Sequence, residues 1–539
     1  MRLDPNAEVT VVERGRALSY AGCSLPYYIS GVVREQRALA VTPLGEERDS
    51  SLLHEMKNVR TLNMSEATEI DRARKHLRVR RLVDGSEQTL TYDKLVVATG
   101  TRAVDPGIEG EQLAGVYRLD GASSAEAIRA ELEGSGAKDV VIIGGGLVGC
   151  YMVEPVAMTG ARVSILERDE HLLRVMDHEF AMLVARHLRA SGVKIHTAAR
   201  ALAFEGDTRV RSVRLADGRI LPCDFVIIAA GLEPEVALAQ RAGLQIGPTG
   251  AIWRDATMRT SDPDIFAIGD CAQKFSTITG KPDWIPSGGM AVREGRIAAL
   301  NVCGGDERDP GILGSVVMQL FGMTVARTGF GERRARAEGF DPVVAIVPSL
   351  DAAHYMPTAK PILVKLIADR ATGRLLGAQG IGEGSLAKRI DVVAAALASG
   401  MDVDRFSTLD LGFAPPVSIA MDALLAAANV IRNKRAGLVM GIGSADLVQR
   451  LAAPHPPLVV DVRMPSVHGQ RRLARSINIP LGALRGRLHE LPRDREIVIV
   501  SRTGLKSYEA ALILKAAGFP TPIILDGGLE CWPYDLEHL

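Results

Sequence analysis

The chain has few cysteines and few aromatic residues, and it carries no excess charge of either sign. Its 6 cysteines are scattered over 539 residues without a CxxC pair, which argues against a disulfide framework and a cysteine metal site. Lysine plus arginine and aspartate plus glutamate both number 64, which gives no support for a nucleic-acid or anionic-membrane partner. No apolar run reaches the roughly 18 residues of a membrane span, and the N-terminus shows no signal-peptide pattern. We therefore expect a cytoplasmic protein that binds neither nucleic acid nor membrane.

One of these cysteines, Cys23, lies in a segment that favours redox chemistry. It follows the acidic residue Glu13 by ten positions, and Glu13 closes a short apolar strand at 9–12. A Leu-Pro-Tyr-Tyr turn at 25–28 comes after it. A thiol held just past a nucleotide-binding acid is suited to exchange electrons with a flavin. A buried cysteine without chemistry is the alternative, because that is the usual fate of a free thiol.

A glycine motif in the second hundred residues predicts a dinucleotide site. Gly144, Gly146 and Gly149 form a G-x-G-x-x-G pattern between an apolar strand and a helix. The glycines let the turn tighten and let backbone N–H groups approach a pyrophosphate at the positive end of the helix. Glu167 closes the next strand about 20 residues on, where a carboxylate can bind both ribose hydroxyls and would repel a 2′-phosphate. The pattern predicts NADH, with NADPH as the alternative ligand and a tight structural turn as the alternative interpretation.

Two further strand ends indicate a second dinucleotide. Thr99 and Gly100 end one apolar strand, and Asp270 follows Gly269 at the end of another. Small residues at a strand end let the backbone approach a bulky cofactor, and an aspartate there can bond the ribityl hydroxyls of a flavin. Either could be an ordinary strand end, but both together around an NADH unit predict FAD. The predicted cofactor-binding residues are Glu13, Arg14, Thr99, Gly100, Gly144, Gly146, Gly149, Glu167, Gly231 and Asp270.

With these motifs the chain resembles the flavin-dependent pyridine nucleotide-disulfide oxidoreductases over nearly its whole length. The resemblance is carried by the Cys23 segment, the strand ends just described and the glycine motif, with further matches at 377–379, 388–391 and 411–416. Within that family the chain is similar to the coenzyme A-disulfide and persulfide reductases fused to a rhodanese domain. The resemblance implies an α/β fold with two Rossmann-like domains for FAD and NAD, an α+β dimerisation domain and a C-terminal α/β rhodanese-like domain.

The resemblance and the order of the motifs predict the domain boundaries. The expected segments are residues 1–104 as the first part of the FAD-binding domain, 105–230 as the NAD-binding domain, 231–305 as the second part of the FAD-binding domain, 306–432 as the dimerisation domain, 433–445 as a linker and 446–539 as the rhodanese-like domain. A homodimer is expected from the fourth segment. An autonomous binding domain in that place is the alternative.

The activity that the resemblance implies is reduction of a disulfide, persulfide or polysulfide on coenzyme A or a similar small thiol, by NADH through FAD. Cys23 takes electrons from the flavin, and its thiolate attacks the substrate sulfur to form a mixed disulfide or a persulfide. Tyr355 of a second subunit is the best candidate to protonate or orient the leaving sulfur. Arg2, Ser19 and Asn301 are candidate contacts for the coenzyme A part.

The chain departs from the family pattern at its start. Family members open with a strand and a glycine turn that holds the FAD pyrophosphate, whereas Met1 matches the end of the helix after that turn. About twenty residues of the nucleotide-binding unit are therefore expected to be absent. We expect a start site assigned too far downstream, and a truncated protein that binds FAD poorly is the alternative.

The C-terminal module departs as well. The strand at 497–500 leads into a loop with Ser501, Arg502 and Gly504, and an active rhodanese has a cysteine at the first of these positions. The N–H groups of such a loop stabilise a thiolate or persulfide, which a serine hydroxyl cannot form. We therefore predict no thiosulfate:cyanide transferase activity. Cys531, beyond the loop, is interpreted as a packing residue.

Two other functions remain open at this point. An NADH oxidase or peroxidase would use the same segment with Cys23 cycling through a sulfenic acid, although a fused sulfur-carrying module argues against it. A degenerate, non-catalytic sensor of sulfur or coenzyme A would fit Ser501. Two smaller departures from the family are Tyr151, where many members have glutamate, and Phe413, where close relatives often have tyrosine.

Overall fold

The computed structural model describes residues 3–134, 136 and 139–538. The chain divides into two compact units, one of residues 1–169 and 193–312 and the other of residues 170–192 and 313–539. The predicted NAD-binding segment 105–230 therefore contributes one stretch to the second unit. Among the described residues, every helix is too short or too polar to cross a bilayer.

The first unit opens with a parallel strand pair and the two short helices between its strands. Pro26 lies in the first turn of the first helix, where its missing N–H costs nothing, and the Asp49 side chain caps the second by accepting from Leu52 N. The elements are β1 (Val9–Val12), α1 (Leu25–Ile29), α2 (Ser50–Lys57) and β2 (Val59–Leu62), followed by the antiparallel β3 (Ser65–Asp71), β4 (His76–Arg81) and β5 (Glu87–Thr91), then β6 (Leu95–Val97) and β7 (Thr101–Ala103).

A five-stranded parallel sheet in the order β11-β10-β9-β15-β8 forms the core of the predicted NAD-binding segment. Its central strands are continuous apolar runs because both faces of a parallel sheet are covered. The elements in this stretch of the chain, of which α5 belongs to the second unit, are β8 (Val116–Arg118), α3 (Ala122–Gly134), β9 (Asp139–Ile143), α4 (Leu147–Met158), β10 (Arg162–Leu166), α5 (His178–Ala190), β11 (Lys194–His196), the antiparallel β12 (Ala201–Glu205), β13 (Ser212–Leu215) and β14 (Ile220–Pro222), and β15 (Phe225–Ile228). The strand, turn and helix around the glycine motif confirm the predicted Rossmann-like fold.

The rest of the first unit returns to the strands near its start. β17 pairs in parallel with β6, and β16 pairs antiparallel with β7. Val97, Ile265 and Ala267 share one hydrophobic core, against which Val12 of β1 also packs. The elements are β16 (Leu232–Pro234), α6 (Ala237–Arg241), β17 (Ile265–Ala267), the hairpin β18 (Lys274–Phe275) and β19 (Pro282–Asp283), and α7 (Gly288–Val302).

The second unit contains an antiparallel sheet in the order β20-β21-β24-β23-β22, as expected of an α+β domain. The elements are β20 (Val316–Leu320), β21 (Met323–Gly329), α8 (Glu332–Ala337), β22 (Pro342–Leu350), β23 (Pro361–Asp369), β24 (Leu375–Gly382), α9 (Ala387–Ala398), α10 (Val403–Phe406) and α11 (Ala423–Arg435). Helix α5 belongs to this unit although its neighbours in sequence do not.

A second parallel sheet, in the order β25-β30-β29-β26-β28, ends the chain. Residues 433–445, predicted as a linker, contain the end of α11 and the edge strand β25, so this sheet begins inside the predicted linker. The elements are β25 (Met440–Ile442), α12 (Ser444–Leu451), β26 (Leu458–Asp461), α13 (Pro465–Gln470), β27 (Arg471–Arg472), β28 (Ile477–Asn478), α14 (Leu481–Leu484), β29 (Ile497–Val500), α15 (Leu505–Ala516), β30 (Ile523–Leu525) and β31 (Glu537–His538).

Candidate functional site

The thiol of Cys23 is exposed, in contrast to the buried cysteine of the alternative interpretation. Cys23 lies in a single 3₁₀ turn, Gly22–Ser24, immediately before α1. A Cβ placed on Gly288 would lie 3.8 Å from Cys23 Sγ, so the sulfur lies beside the first residue of α7. Since α7 has 15 residues, its positive N-terminal end favours an anion such as a thiolate there.

Asp270 lies at the same end of α7. Its Oδ1 accepts a hydrogen bond from Ser287 N at 2.8 Å, and Ser287 is the N-cap of the helix. Its carbonyl oxygen accepts from Trp284 Nε1 at 2.7 Å. The structure therefore brings the predicted redox cysteine and the predicted flavin-binding aspartate to one helix terminus.

The strand ends near Asp270 offer backbone to a ligand. Because β6 and β17 are parallel, the residues that follow them emerge at the same edge. Thr99 is exposed and its Oγ1 donates to Glu235 O at 2.6 Å, while Gly100 has φ +72°. Among the described residues, no heavy atom lies within 4 Å of the Cβ position of Gly100. Open backbone, a carboxylate and an adjacent thiol form a donor set that fits the ribityl chain and ring of a flavin.

The other residues predicted to hold FAD or substrate near the start of the chain lie in the loop after β1. Glu13 is half-buried, and its Oε1 accepts from Gly15 N at 2.6 Å. Arg14 and Ser19 are exposed. Arg2 lies outside the described residues.

The glycine turn after β9 has the close approaches that its sequence predicts. Gly144 has φ +103°, and a Cβ on it would lie 2.4 Å from Ala229 O. A Cβ on Gly149 would lie 1.8 Å from Gly144 O, so the start of α4 can approach the turn only without a side chain. Gly146, at the N-cap of α4, faces open space among the described residues. This cradle fits the pyrophosphate of a nicotinamide dinucleotide.

Glu167 anchors the same turn. Its Oε2 accepts from Gly145 N at 2.7 Å and its Oε1 from Asp169 N at 2.9 Å. Each carboxylate oxygen can accept a second hydrogen bond, so both oxygens of Glu167 can still accept from ribose hydroxyls. Gly231, with φ +128°, lies just before β16, where its carbonyl oxygen accepts from Val104 N at 3.0 Å.

A tyrosine pair near Cys23 was not predicted as part of the site. The rings of Tyr27 on α1 and Tyr151 on α4 are perpendicular, with centroids 5.8 Å apart. Burial raises the pKa of Tyr151, and the hydrogen bond to Tyr27 and the nearby Cys23 act in the same direction. The only sequence signal was the unusual tyrosine two positions after Gly149.

Lys274 and Glu294 were also missed. Both side chains are wholly buried next to Gly269, and they form an ion pair of 3.0 Å between Nζ and Oε1. Charged residues at these positions would ordinarily be assigned to the solvated surface, so the sequence offered no signal.

The predicted substrate contact Asn301 is buried, whereas the predicted catalytic residue Tyr355 is exposed. Asn301 is buried, its Nδ2 donates to Thr257 O and Glu307 O, and its Oδ1 accepts from Glu307 N. These bonds hold the loop that follows α7, and contact of Asn301 with substrate stays a prediction. Tyr355, in the second unit, is 64% exposed in the segment after β22 and packs edge-on against His354.

In the loop of the C-terminal module, a backbone N–H donates to the hydroxyl of a serine. Ser501 is buried, and its Oγ accepts from Gly504 N at 3.1 Å and from Ser507 Oγ at 2.9 Å. Gly504 has φ +96° and begins α15. Arg502 is exposed and paired with Glu530. Cys531 is buried, which raises the pKa of its thiol and favours a packing role.

Three carboxylates in the second unit share one buried lysine as a counter-ion. Lys365 Nζ lies 2.7 Å from Asp177 Oδ2, 2.5 Å from Glu179 Oε1 and 2.6 Å from Glu332 Oε1. The carboxylates have the spacing of a metal site, but the buried ammonium group takes the place of the cation.

Comparison with known proteins agrees with this geometry. Family models match residues 2–295 (pyridine nucleotide-disulphide oxidoreductase), 317–424 (its dimerisation domain) and 444–533 (rhodanese-like domain). A CoA-dependent NAD(P)H sulfur oxidoreductase of Pyrococcus furiosus is 33% identical over 433 residues, 80% of this chain and 95% of that protein. An NAD-dependent persulfide reductase from A. fulgidus matches with a TM-score of 0.92 and 41% identity over 98% of this chain and 96% of its own. The reduced CoADR-RHD of Bacillus anthracis matches with a TM-score of 0.92 and 31% identity over 98% and 94%. As its motifs predicted, the chain belongs to the pyridine nucleotide-disulphide oxidoreductase family and carries a rhodanese-like domain at its C-terminal end.

Proposed function

We propose that this protein is an NADH-dependent flavoprotein reductase that passes electrons through Cys23 to a disulfide, persulfide or polysulfide of coenzyme A or a similar thiol. The observation that carries the proposal is the exposed Cys23 sulfur at the N-terminal end of α7, where Asp270 is also bound. The names of the P. furiosus and A. fulgidus relatives support a sulfur substrate, and the fused rhodanese-like domain favours it over oxygen.

Both cofactors of the proposed reaction have residues suited to hold them. Thr99, Gly100 and Asp270 would hold FAD, with Glu13 and Arg14 toward its adenosine part, and bound FAD supplies the two-electron link between nicotinamide and sulfur. The turn at 144–149 would hold the NADH pyrophosphate. Glu167 favours NADH over NADPH because its negative charge would repel a 2′-phosphate.

The chemistry at sulfur is assigned to the protein's own groups. The Cys23 thiolate attacks a sulfur of the substrate, so that one S–S bond forms while the substrate S–S bond breaks. The leaving thiolate takes a proton, for which Tyr355 of a second copy of the chain is the proposed donor. The homodimer that this requires is supported by the dimerisation domain, and Ser19 is retained as a candidate contact for coenzyme A. A cytoplasmic location is part of the proposal, since an exposed free thiol suits a reducing compartment.

The test is steady-state NADH oxidation by the full-length holoprotein, compared across CoA disulfide, CoA persulfide, polysulfide and oxygen. We expect turnover with a sulfur acceptor and its loss in Cys23→Ser, with the flavin absorbance near 450 nm retained. Cys303→Ser is the matched control, because Cys303 is the other exposed cysteine. Undiminished turnover in Cys23→Ser, or oxygen as the only acceptor, would refute the proposal, the second result in favour of an NADH oxidase.

A further inference from the structure

A buried ion pair holds the peptide groups that precede Asp270. Glu294 Oε2 accepts a hydrogen bond from Gly269 N at 2.7 Å, and Lys274 Nζ donates one to Gly269 O at 2.8 Å. The two side chains are 0% exposed. The N–H and the C=O of one glycine are thus bound by the two halves of one ion pair.

A second layer of charge keeps this pair in place. Arg254 Nη2 lies 3.3 Å from Glu294 Oε1 and 2.7 Å from Asp309 Oδ2, with the arginine 0% exposed. Arg293 Nη2 lies 2.6 Å from the other oxygen of Asp309. Buried charges are costly unless each has a partner, and here the partners converge on the carboxylate that holds Gly269.

This arrangement attaches α7 to the Gly269–Asp270 turn at two points. Ser287 N, at the start of the helix, donates to Asp270 Oδ1 at 2.8 Å. Glu294, on the same helix about two turns later, binds Gly269 N. Two attachments along one helix oppose both rotation about its axis and sliding along it, so the N-terminal end stays in place beside Cys23 Sγ.

We propose that Glu294 is a positioning residue for Cys23. Through Gly269 and Asp270 it fixes the N-terminal end of α7, whose dipole favours negative charge, beside Cys23 Sγ. The inference rests on the proposed role of Cys23 and extends it, since it names the device that keeps the sulfur reactive.

The test compares two double variants of the full chain that both lack the ion pair. Lys274→Met with Glu294→Gln keeps an oxygen that can accept from Gly269 N, whereas Lys274→Met with Glu294→Met does not. Both are neutral at these positions, and neutral replacements of similar volume for a buried ion pair are generally tolerated. The reduced proteins are treated with iodoacetamide, and the alkylation rates of Cys23 and of the exposed Cys303, at the other end of α7, are measured by peptide mass spectrometry.

The glutamine variant is expected to keep the wild-type ratio of Cys23 to Cys303 alkylation, and the methionine variant to lower it about threefold or more. The same ratio in the wild type and both variants would overturn the proposal, as would an equal fall in both. Glu294→Leu in the same background is a second variant without the acceptor, should the first fold poorly.

A general loss of stability is controlled separately. Asp422→Asn makes the same carboxylate-to-amide change in the buried ion pair with Arg389, and it should leave the ratio unchanged. Because this measurement needs neither NADH nor a sulfur substrate, its failure and the failure of the proposed reductase activity are distinguishable.

Discussion

Gly149 and Gly146, in the turn between β9 and α4, are expected to be needed for different reasons. Gly149 is required by the packing of the protein's own backbone, whereas Gly146 is required by the bound ligand. A Cβ on Gly149 would lie 1.8 Å from Gly144 O and 3.0 Å from its carbonyl carbon. Gly146 has φ −74°, which any residue adopts, and among the described residues no heavy atom lies within 4 Å of its Cβ position. Alanine at 149 therefore collides with the protein's own backbone, whereas alanine at 146 meets only a bound pyrophosphate.

The expected magnitudes follow from these distances. Gly149→Ala must push the start of α4 from the turn by more than about 1 Å, and overpacking of this kind costs about 1–3 kcal/mol. That loss lowers Tm by about 2–10 °C and displaces the N–H groups that face the pyrophosphate. Gly146→Ala has two opposing effects on the free energy of unfolding, each below about 1 kcal/mol. The loss of a good N-cap lowers it, and the reduced entropy of the unfolded chain raises it. Its Tm stays near that of the wild type, while Kd for NADH rises about tenfold or more, or ~1.4 kcal/mol.

Thermal unfolding followed by circular dichroism, with NADH titration in parallel, measures both quantities. Gly160→Ala, at the other end of α4 with φ +89°, is the control that loses stability through backbone strain but keeps NADH affinity. Wild-type NADH affinity in Gly146→Ala would refute the placement of the pyrophosphate at this turn. An unchanged Tm in Gly149→Ala would refute the steric argument.

Three further outcomes are expected. Ser501→Cys should gain thiosulfate:cyanide transfer that the wild type is predicted to lack, since Gly504 N already donates to the side chain at 501; continued inactivity in a sulfurtransferase assay would show that the cysteine alone does not suffice. Burial alone would raise the pKa of Glu332, but attraction to Lys365 lowers it to about 2 from the ordinary 4.5. The stabilisation from this carboxylate is therefore present above pH 4.5 and lost as pH falls toward 2, and Glu332→Gln should flatten that fall by ~3 kcal/mol in acid denaturation; an unchanged slope would contradict the pairing. Tyr355→Phe should lower kcat with a sulfur acceptor about tenfold or more without changing Cys23 alkylation, and undiminished kcat would remove Tyr355 as the proton donor.

Local patterns made much of the fold predictable. The turn at 144–149 is encoded within one strand, its glycines and the helix that follows, so both its place and its geometry could be expected. The same holds for Asp270, which comes three residues after the end of β17. Such features depend on neighbours in sequence, where spacing and residue type are informative.

Features built from distant residues could not be predicted in the same way. Lys274 and Glu294 are charged residues twenty positions apart, and only tertiary packing shows that they share Gly269. The bonds of Asn301 to Thr257 and Glu307 could not be predicted for the same reason, since they lie in the folded loop. The resemblance predicted Cys23 as the reacting cysteine but gave no sign of the buried charges around the turn beside it.

The excursion of residues 170–192 into the second unit has a consequence for biosynthesis. Asp177 and Glu179 leave the ribosome long before their partner Lys365, which lies 186 positions after Glu179. During translation residues 170–192 therefore cannot pack in their native place until the antiparallel sheet of the second unit has been synthesised. A separately expressed fragment that starts at residue 313 would keep Glu332 but lose Asp177 and Glu179 as counter-ions of the buried Lys365, so we expect that fragment not to fold independently.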